Sequence, residues 1–308
     1  MNSENEHIAV ILCTYNGENF IKEQIDSILN QSYQNFTIYI SDDGSSDKTL
    51  DIVYQYKEFL ESGKIKITNG PKLGYGNNFI SNLKKHIDEA NYFCYCDQDD
   101  IWDIKKIEHG LTILINYENE PALYCSVTNL ISEDGCFIGK SHYKKITPSF
   151  GNALCQSIAG GNTMVFNKKA GLLLNHIPDK MQISSHDWIT YLIISAAGGI
   201  IYYDKESYIS YRQHNKNLVG NNKKLKSKII RLLAFFNGSY RKWNGQNIDI
   251  LDSLPCMLNF NKKLFFMYKK IHYGNFFSRL ISLLKISIYR DSKLETFIFY
   301  LGGIFKLI

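Results

Sequence analysis

The sequence predicts an α/β fold: a mostly parallel sheet flanked by helices and followed by a basic helical extension. Three observations support this prediction. Short apolar runs alternate with helix-length segments over the first 130 residues, which is typical of parallel sheets with right-handed crossovers. Polar and acidic residues follow three of the apolar runs, where open sheets of this kind bind ligands. Basic residues accumulate after residue 220.

The predicted elements follow one another without long gaps. The run 8–13, IAVILC, is apolar throughout, as in a parallel strand that is buried on both faces. Residues 21, 25, 28 and 29 are apolar at helical spacing, and Ser46 or Asp47 can cap a later helix. Together these patterns predict strands at 8–13, 36–40, 64–68, 92–96 and 122–127, and helices at 21–29, 50–60, 77–87 and 105–117.

An acidic cluster follows the fourth predicted strand. In the segment YFCYCDQDDIW an aromatic, apolar run is followed by Asp97, Asp99 and Asp100. Carboxylates this close repel one another, so a hard divalent cation with a phosphate-bearing substrate is the natural partner. The alternative is a solvated acidic loop or a helix cap, although Asp103 is better placed to cap the helix that follows.

Two further loops carry polar groups at the same predicted edge. The loop after the first strand holds Thr14, Tyr15, Asn16 and a single glycine, and it matches neither the dinucleotide fingerprint nor the phosphate-binding loop of NTPases. The pattern therefore disfavours a Rossmann oxidoreductase and a P-loop NTPase. The loop after the second strand offers Asp42 and Asp43, which can accept hydrogen bonds from a nucleotide or simply form a turn.

Charge is distributed unevenly along the 308 residues. Residues 221–308 hold 16 Lys and Arg against 4 Asp and Glu, whereas residues 1–220 hold 19 against 26. The basic segments 223–236 and 276–289 also carry apolar residues, as do helices that lie on anionic membranes; packing on the preceding domain is the alternative. No recognised nucleic-acid-binding module accompanies this charge, so we expect no nucleic-acid partner.

Cysteine usage and the lack of membrane signals indicate where the protein works. Seven cysteines, an odd number scattered through apolar segments, favour reduced thiols in the cytoplasm. The N-terminal MNSENEHIAV lacks a basic stretch before an apolar core, and no apolar run reaches the ~18 residues of a membrane span. We therefore expect a cytoplasmic protein, held peripherally on the inner face of the plasma membrane.

Four segments in this order resemble family-two glycosyltransferases with the GT-A fold. They are CTYNGENFIKEQIDSILNQSY, ISDDGSSDKT, GYGNNF and CDQDDIW, and the resemblance extends over residues 7–215. It implies that the D-x-D element Asp97-Gln98-Asp99 binds Mg²⁺ or Mn²⁺ and the diphosphate of a nucleotide sugar, with Asp99 contacting the metal. It also implies a nucleotide base at Asp42 or Asp43, framed by Thr14, Tyr15 and Asn16, and a donor-site lining formed by Lys72, Asn77 and Asn78.

Three downstream segments extend the resemblance. AGGN at 159–162, with Gly160 and Gly161, resembles the glycine loop that faces donor and acceptor, where bare backbone lets a sugar approach; a simple turn is the alternative. SHDW at 185–188 resembles the motif whose aspartate, here Asp187, is the catalytic base, although His186 stands where the family usually has glutamate. YRQH at 211–214 resembles the segment whose histidine, His214, completes the metal shell; an ordinary surface or core histidine is the alternative.

The chemistry implied by the resemblance is a single displacement. The metal stabilises the leaving diphosphate, and the base takes the proton of the attacking acceptor hydroxyl, so the anomeric carbon inverts. We accordingly expect a GT-A catalytic domain at 1–220 and a basic amphipathic helical region at 221–308.

The donor is predicted from the finer form of the motifs. DQDDIW, HDW and YRQH most resemble the rhamnosyltransferase branch, which uses dTDP-rhamnose to build bacterial O-antigen or capsular polysaccharide, and this implies a lipid-linked glycan acceptor. Galactosyl or glucosyl transfer from a UDP-sugar stays open, as does a non-catalytic partner that only binds the sugar nucleotide. A nucleotidyltransferase is disfavoured, because the usual glycine-rich basic signature is missing after the first strand.

Overall fold

The computed structural model describes residues 5–214 and 237–308, so the segment 223–236 lies outside the described residues. In chain order, its strands and helices are β1 (Ile8–Thr14), α1 (Ile21–Leu29), β2 (Phe36–Asp42), α2 (Thr49–Val53), α3 (Lys57–Glu61), β3 (Ile65–Asn69), α4 (Tyr75–Lys85), β4 (Tyr92–Cys96), β5 (Ile101–Trp102), α5 (Lys106–Leu114), β6 (Ala122–Ser126), β7 (Asn129–Ile131), β8 (Phe137–Lys140), α6 (Phe150–Ala153), β9 (Val165–Asn167), α7 (Lys168–Asn175), α8 (His186–Ala196), β10 (Ile200–Asp204), β11 (Ile209–Arg212), α9 (Ser239–Asp252), α10 (Asn259–Tyr273), α11 (Phe276–Lys285) and α12 (Lys293–Ile304).

A seven-stranded sheet forms the centre of the molecule, in the order β10-β6-β9-β4-β1-β2-β3. β1 is wholly buried and pairs in parallel with β2 and β4, while β9 runs antiparallel between β4 and β6. Because β1, β2 and β4 run in the same direction, all three end at one edge of the sheet. The structure confirms the mostly parallel sheet and places the three polar loops side by side.

A smaller sheet, in the order β5-β11-β7-β8, continues from this edge. β5 begins directly after the acidic cluster and pairs antiparallel with β11, with Ile209 opposite Trp102 and Ser210 opposite Ile101. These two strands are far apart in the sequence. Their pairing brings the end of β11 to the acidic cluster.

Apolar side chains cover both faces of the large sheet. On one face, α1 and α5 pack over strand residues such as Val10 and Cys94. On the other face, α4, α7 and α8 lie next to the sheet, and the C-terminal helices add Ile248, Leu264 and Phe299 to the same cluster. The described part of region 221–308 therefore shares a core with the sheet through one of its sides. The domain division at residue 220 stays a prediction.

The helix predicted at 50–60 is wrong, because the structure has two short helices, α2 and α3, with a break between them. At the break, the Tyr56 hydroxyl donates to Asp26 Oδ1 at 2.5 Å. This hydrogen bond directs the Tyr56 side chain toward α1. The run DIVYQY is rich in β-branched and aromatic residues, which lose rotamer freedom in a helix. Neither Ser46 nor Asp47 is the N-cap residue of α2, which is Lys48, although Asp47 Oδ1, one residue earlier, accepts from the Thr49 N–H at 3.0 Å.

None of the helices in the described part of the chain is both long and apolar enough to cross a membrane.

Candidate active site

The acidic cluster lies where β4 ends, at the edge shared with β1 and β2. Asp99 Oδ2 is 2.8 Å from His214 Nε2, and the His214 ring stacks on Phe20 with 4.9 Å between ring centroids. The pairing of β5 with β11 produces this contact, because it holds residue 214 beside the loop after β4. The structure thus brings together Asp99 and His214, both of which the sequence proposed as metal ligands.

Asp97 is the neighbouring carboxylate. It is partly buried, and no residue within 5–214 or 237–308 donates a hydrogen bond to its side chain. Burial, followed by the charges of Asp99 and Asp187, raises the pKa of Asp97 to about 8. A cation would stabilise the ionised form, and carboxylate oxygens with an imidazole nitrogen suit Mg²⁺ or Mn²⁺.

The residues present fit such an ion without forming a finished cage. Among the described residues, no group of three or more His, Cys, Asp or Glu is already arranged to hold a metal. Mg²⁺ usually keeps several waters and binds through one or two carboxylates plus substrate phosphates. The site therefore suits a metal ion that binds together with the phosphates of a substrate, with Asp97, Asp99 and His214 as its protein ligands.

Asp100 is fully buried and connects several segments, a role that the sequence did not indicate. Its N–H donates to Gln24 Oε1 at 3.0 Å, and its carboxylate accepts from Asn162 Nδ2 at 2.6 Å and from the Arg212 N–H at 3.2 Å. Arg212 Nε donates to the Asp99 carbonyl at 3.0 Å. Asp100 and Arg212 thus hold α1, the acidic loop, the glycine loop and the end of β11 together.

Gln98, between the two acids of the D-x-D element, ties the acidic loop to the loop after β1. Its Oε1 accepts from Thr14 Oγ1 at 2.6 Å and from the Tyr15 N–H at 2.9 Å, and its Nε2 donates to the Tyr15 carbonyl at 3.1 Å. A Cβ on Gly17 would lie 2.3 Å from the same Oε1, so a side chain there would push the Gln98 amide out of these hydrogen bonds. Next to this contact, the Tyr15 ring is exposed and Asn16 is partly exposed.

The two carboxylates after β2 have different surroundings. Asp42 is buried, and its Oδ2 accepts from the N–H groups of Gly44 at 3.0 Å and Ser45 at 2.9 Å, as in a turn. Asp43 is partly exposed, and it accepts from the Lys72 N–H at 2.6 Å. The structure therefore gives Asp42 a turn role, and it places Asp43 and Lys72 together at the same edge of the sheet.

Asn77 and Asn78, predicted to line the donor site, are buried. Asn77 Nδ2 donates to the Met181 carbonyl at 2.9 Å. Asn78 Oδ1 accepts from Ser41 Oγ at 2.6 Å, and its Nδ2 donates to the Ser41 carbonyl at 3.0 Å. Both amides join α4 to neighbouring segments, so their side chains act inside the protein and not on its surface.

Asp187 lies in the first turn of α8, where the helix dipole favours a carboxylate. Its Oδ1 accepts from the Trp188 N–H at 2.7 Å and from the Ser185 hydroxyl. Its charge contributes to the raised pKa of Asp97; burial, and then this charge, raise the pKa of Tyr75 to about 12. Asp187 is therefore close to the acidic cluster, although it comes from a distant part of the chain.

The glycine loop packs on His186, the residue that departs from the family pattern. A Cβ on Gly161 would lie 2.0 Å from His186 Nε2, and one on Gly160 would lie 2.7 Å from Asn162 Oδ1. Packing inside the protein therefore requires bare backbone at Gly161, whereas a Cβ on Gly160 would meet only the end of the Asn162 side chain. His186 is buried and stacks on Phe79 at 3.8 Å, and burial lowers its pKa to about 4, so it is neutral near pH 7.

Comparison with known proteins agrees with this geometry. The family model described as Glycosyl transferase family 2 matches residues 9–165. Over 241 residues the chain is 32% identical to a Shigella flexneri protein described as dTDP-rhamnosyl transferase RfbG, covering 75% of this chain and 81% of that protein.

Two solved structures share the fold. S. aureus TarS 1–349 in complex with UDP has a TM-score of 0.57 at 17% identity, covering 98% of this chain and 81% of that chain. The mannosyltransferase PcManGT from Pyrobaculum calidifontis, in complex with GDP-Man and Mn²⁺, has a TM-score of 0.55 at 15% identity, covering 98% and 80%.

The sheet order, the acidic loop after β4 and these matches together define a glycosyltransferase with the GT-A fold. This chain belongs to glycosyl transferase family 2, and it resembles the rhamnosyltransferases of that family. The predicted family, fold and enzyme class are confirmed. The roles of the individual site residues stay predictions.

Proposed function

We propose that this protein is an inverting, metal-dependent glycosyltransferase that moves a sugar from a nucleotide donor to a hydroxyl of a glycan acceptor. The product belongs to a bacterial surface polysaccharide, either O-antigen or capsule. One observation carries the proposal: Asp97, Asp99 and His214 gather at one edge of the sheet, with Asp187 close to the same cluster.

The acidic side of the site serves the donor. Asp97, Asp99 and His214 would hold Mg²⁺ or Mn²⁺, which would supply charge stabilisation for the leaving diphosphate. Gln98 and Asp100 keep the loop in position through their hydrogen bonds to neighbouring segments.

The nucleotide lies on the loops after β1 and β2. The backbone of Thr14, Tyr15 and Asn16 frames the base, with the Tyr15 ring available for stacking because it is exposed. Of the two acids after β2, Asp43 is the better acceptor for a base N–H, because the Asp42 carboxylate is used by its own turn. Lys72 contributes positive charge to the loop after β2, because its side chain lies against Gly44.

Asp187 acts as the general base. A carboxylate can take the proton from the acceptor hydroxyl as that oxygen attacks the anomeric carbon. The Ser185 hydroxyl and the Trp188 N–H occupy Oδ1 and fix the carboxylate, and no hydrogen bond from a described residue reaches Oδ2. One base opposite one leaving group gives direct displacement with inversion.

Metal dependence is tested with Asp99→Asn, which keeps the side-chain shape and removes its charge. We expect turnover of the sugar nucleotide to fall at least ~100-fold, the scale of losing a main electrostatic stabiliser. Asp103→Asn, the same change at an exposed acid just after β5, should keep wild-type turnover. Excess EDTA should abolish activity, and added Mg²⁺ or Mn²⁺ should restore it. Full activity in EDTA would contradict the proposal.

The base is tested with Asp187→Asn. Donor affinity, measured by isothermal titration calorimetry, should stay near the wild-type value while kcat collapses, because the lost interaction matters in the transition state. Asp179→Asn, an exposed acid before α8, is the control. Wild-type transfer by the Asp187→Asn variant would place the base elsewhere, and NMR showing a retained anomeric configuration would reject single displacement.

The proposed donor is a pyrimidine nucleotide sugar, with dTDP-rhamnose favoured. The support is the 32% identity to a protein described as a dTDP-rhamnosyl transferase. A panel of dTDP-, UDP- and GDP-sugars, scored for metal-dependent hydrolysis and transfer, tests this assignment. Faster turnover of a UDP-galactose or UDP-glucose donor would support the alternative, and a preference for a GDP-sugar would reject both. Donor binding without any turnover would indicate a non-catalytic partner.

The proposed place of work is the cytoplasmic face of the plasma membrane, reached by peripheral contact through region 221–308. The excess of Lys and Arg in this region supports the proposal, as does the lipid-linked glycan acceptor that the resemblance implies.

A further inference from the structure

The last two helices present apolar side chains to solvent. On α11 they repeat along one side of the helix, where Phe277 is 74% and Leu284 is 80% exposed. On α12 they repeat at the same kind of spacing. We call this surface the α11–α12 face, defined by Phe277, Ile281 and Leu284 on α11 and by Leu294, Phe297 and Leu301 on α12.

The two helices form a fixed antiparallel pair. Arg279 Nη2 donates to the Ile304 carbonyl at 3.1 Å, and the Tyr300 hydroxyl donates to the Ile286 carbonyl at 2.9 Å. Beneath them, buried side chains of both helices join the main core of the protein. The α11–α12 face is therefore the outer side of a packed layer.

Exposed lysines lie at both ends of this face. Residues 237–308 contain 11 Lys and Arg against 4 Asp and Glu. Three of these acids have a cationic or histidine partner, at Asp252–Lys269, Asp291–His142 and Glu295–Arg290. Lys285 and Lys293 lie at one end of the pair and Lys306 at the other; all three are exposed, and none forms an ion pair with a described residue.

We propose that the α11–α12 face docks the protein on an anionic lipid bilayer. The Phe and Leu side chains enter the boundary between headgroups and acyl chains, while the lysines at both ends of the pair contact anionic headgroups. The proposed function supplies the reason for docking, namely a lipid-linked acceptor, but the surface itself is read from exposure and charge. Most of the attraction comes from apolar contact, since each lysine adds little and salt screens it.

A second copy of this chain is the other occupant of comparable chemistry. Two such faces brought together in a homodimer would place their lysine-rich margins against each other, which is unfavourable. An anionic surface satisfies both the apolar residues and the charge, so the bilayer fits this face better.

The test measures co-sedimentation of the full-length protein with phosphatidylcholine vesicles that contain or lack phosphatidylglycerol. The wild type should bind the anionic vesicles. High salt should weaken this binding without abolishing it. Phe277→Ser/Leu284→Ser should lower the partition coefficient at least about tenfold, because two large apolar side chains no longer enter the interface. Phe137→Ser/Ile138→Ser on β8, two exposed apolar residues outside the face, is the matched control and should bind like the wild type.

A second measurement reports whether the α11–α12 face itself enters the membrane. An environment-sensitive fluorophore on Ile281→Cys, in a Cys136→Ser/Cys256→Ser background that removes the exposed cysteines, should shift to the blue when anionic vesicles are added. Sedimentation velocity without vesicles reports self-association. The Phe277→Ser/Leu284→Ser protein, called the face variant, should hydrolyse the sugar nucleotide in vesicle-free buffer as fast as the wild type. Loss of docking can therefore be distinguished from loss of the proposed enzyme function.

Three results would overturn the proposal. One is a face variant that binds anionic vesicles as well as the wild type, which would assign docking to another part of the chain. Another is a wild-type protein that fails to bind them at low salt. The third is a wild-type dimer that the face variant converts to a monomer, with no fluorophore shift on vesicles, which would identify the face as a contact between copies.

Discussion

His186 is stacked on Phe79 and meets Tyr95 edge-on, at 3.8 and 4.9 Å between ring centroids, and neither ring nitrogen has a hydrogen-bond partner among the described residues. Burial lowers its pKa from 6.5 to about 4. Between pH 6.5 and about pH 4, the His186 side chain is therefore protonated in the unfolded chain and neutral in the folded protein. The stabilising effect of keeping His186 neutral is complete above pH 6.5 and is lost as the pH falls toward 4.

We expect the free energy of unfolding to fall by about 2 kcal/mol between about pH 7 and about pH 5 through this residue alone. His186→Phe keeps the stacking and removes the titration, so it should lose correspondingly less stability over the same interval. Urea denaturation of both proteins at the two pH values measures the difference. Equal losses would show that His186 does not set this pH dependence.

Asp100 accepts two N–H groups from segments far away in sequence, and Asp100→Asn replaces one acceptor oxygen by a donor. The amide then faces either Asn162 Nδ2 or the Arg212 N–H, donor to donor. We expect a loss of about 1–3 kcal/mol in the free energy of unfolding, together with lower kcat. Asp103→Asn, at an exposed position, should change neither quantity. Wild-type stability of Asp100→Asn would contradict the structural role assigned here.

At the scale of elements, the glycine loop depends on the side chain beneath it. Gly161→Ala would place a methyl group 2.0 Å from His186 Nε2, and the imidazole has little room to move between Phe79 and Tyr95. Overpacking of this kind costs about 1–3 kcal/mol. In a double-mutant cycle, His186→Ala should relieve much of the cost of Gly161→Ala, because the two groups are in contact. Additive free energies would show that the loop is supported elsewhere.

Most of the local patterns in the sequence were informative. Continuous apolar runs located β1, β2 and β4, and the acids after β4 located the edge where the site lies. Local patterns failed at α2 and α3, where apolar spacing predicted one helix and the Tyr56 hydroxyl, bonded to Asp26, marks the break.

Local patterns could not show which distant segments come into contact, and only the family resemblance placed His214 with Asp99. β5 has two residues, too few for any periodicity, yet its pairing with β11 brings His214 to Asp99. A third acid in the motif was the only signal for Asp100, and nothing local identifies Asn162 or Arg212 as its partners. Similarly, the glycines of the loop were assigned to sugar approach, whereas packing on His186 accounts for Gly161.

At the scale of the whole molecule, the C-terminal helices and the sheet share a core. Asn152 Nδ2 donates to the Tyr289 carbonyl at 2.9 Å, Arg290 Nη1 donates to the Cys155 carbonyl at 2.6 Å, and Phe299 is buried in the common cluster. We expect Phe299→Ala to lower the free energy of unfolding by about 3–5 kcal/mol. Trp102 is buried on the other face of the sheet, and its fluorescence should show the same single unfolding transition as circular dichroism. Two separate transitions would instead support an independent unit at 221–308.

The position of β9 constrains the order in which the chain can fold. In the described sheet β9 lies between β4 and β6, and it is made later than either of them. While the ribosome adds the residues between Cys96 and Val165, roughly 3 to 14 seconds at ordinary rates of synthesis, the outer edge of β4 has no strand to pair with. An unpaired apolar strand edge invites aggregation. Nascent chains stopped before residue 165 should therefore bind chaperones or aggregate more than chains stopped after residue 175, and a ribosome-release assay can compare them. The strand that joins β4 to β6 also ends the period in which the nascent chain exposes this edge of β4.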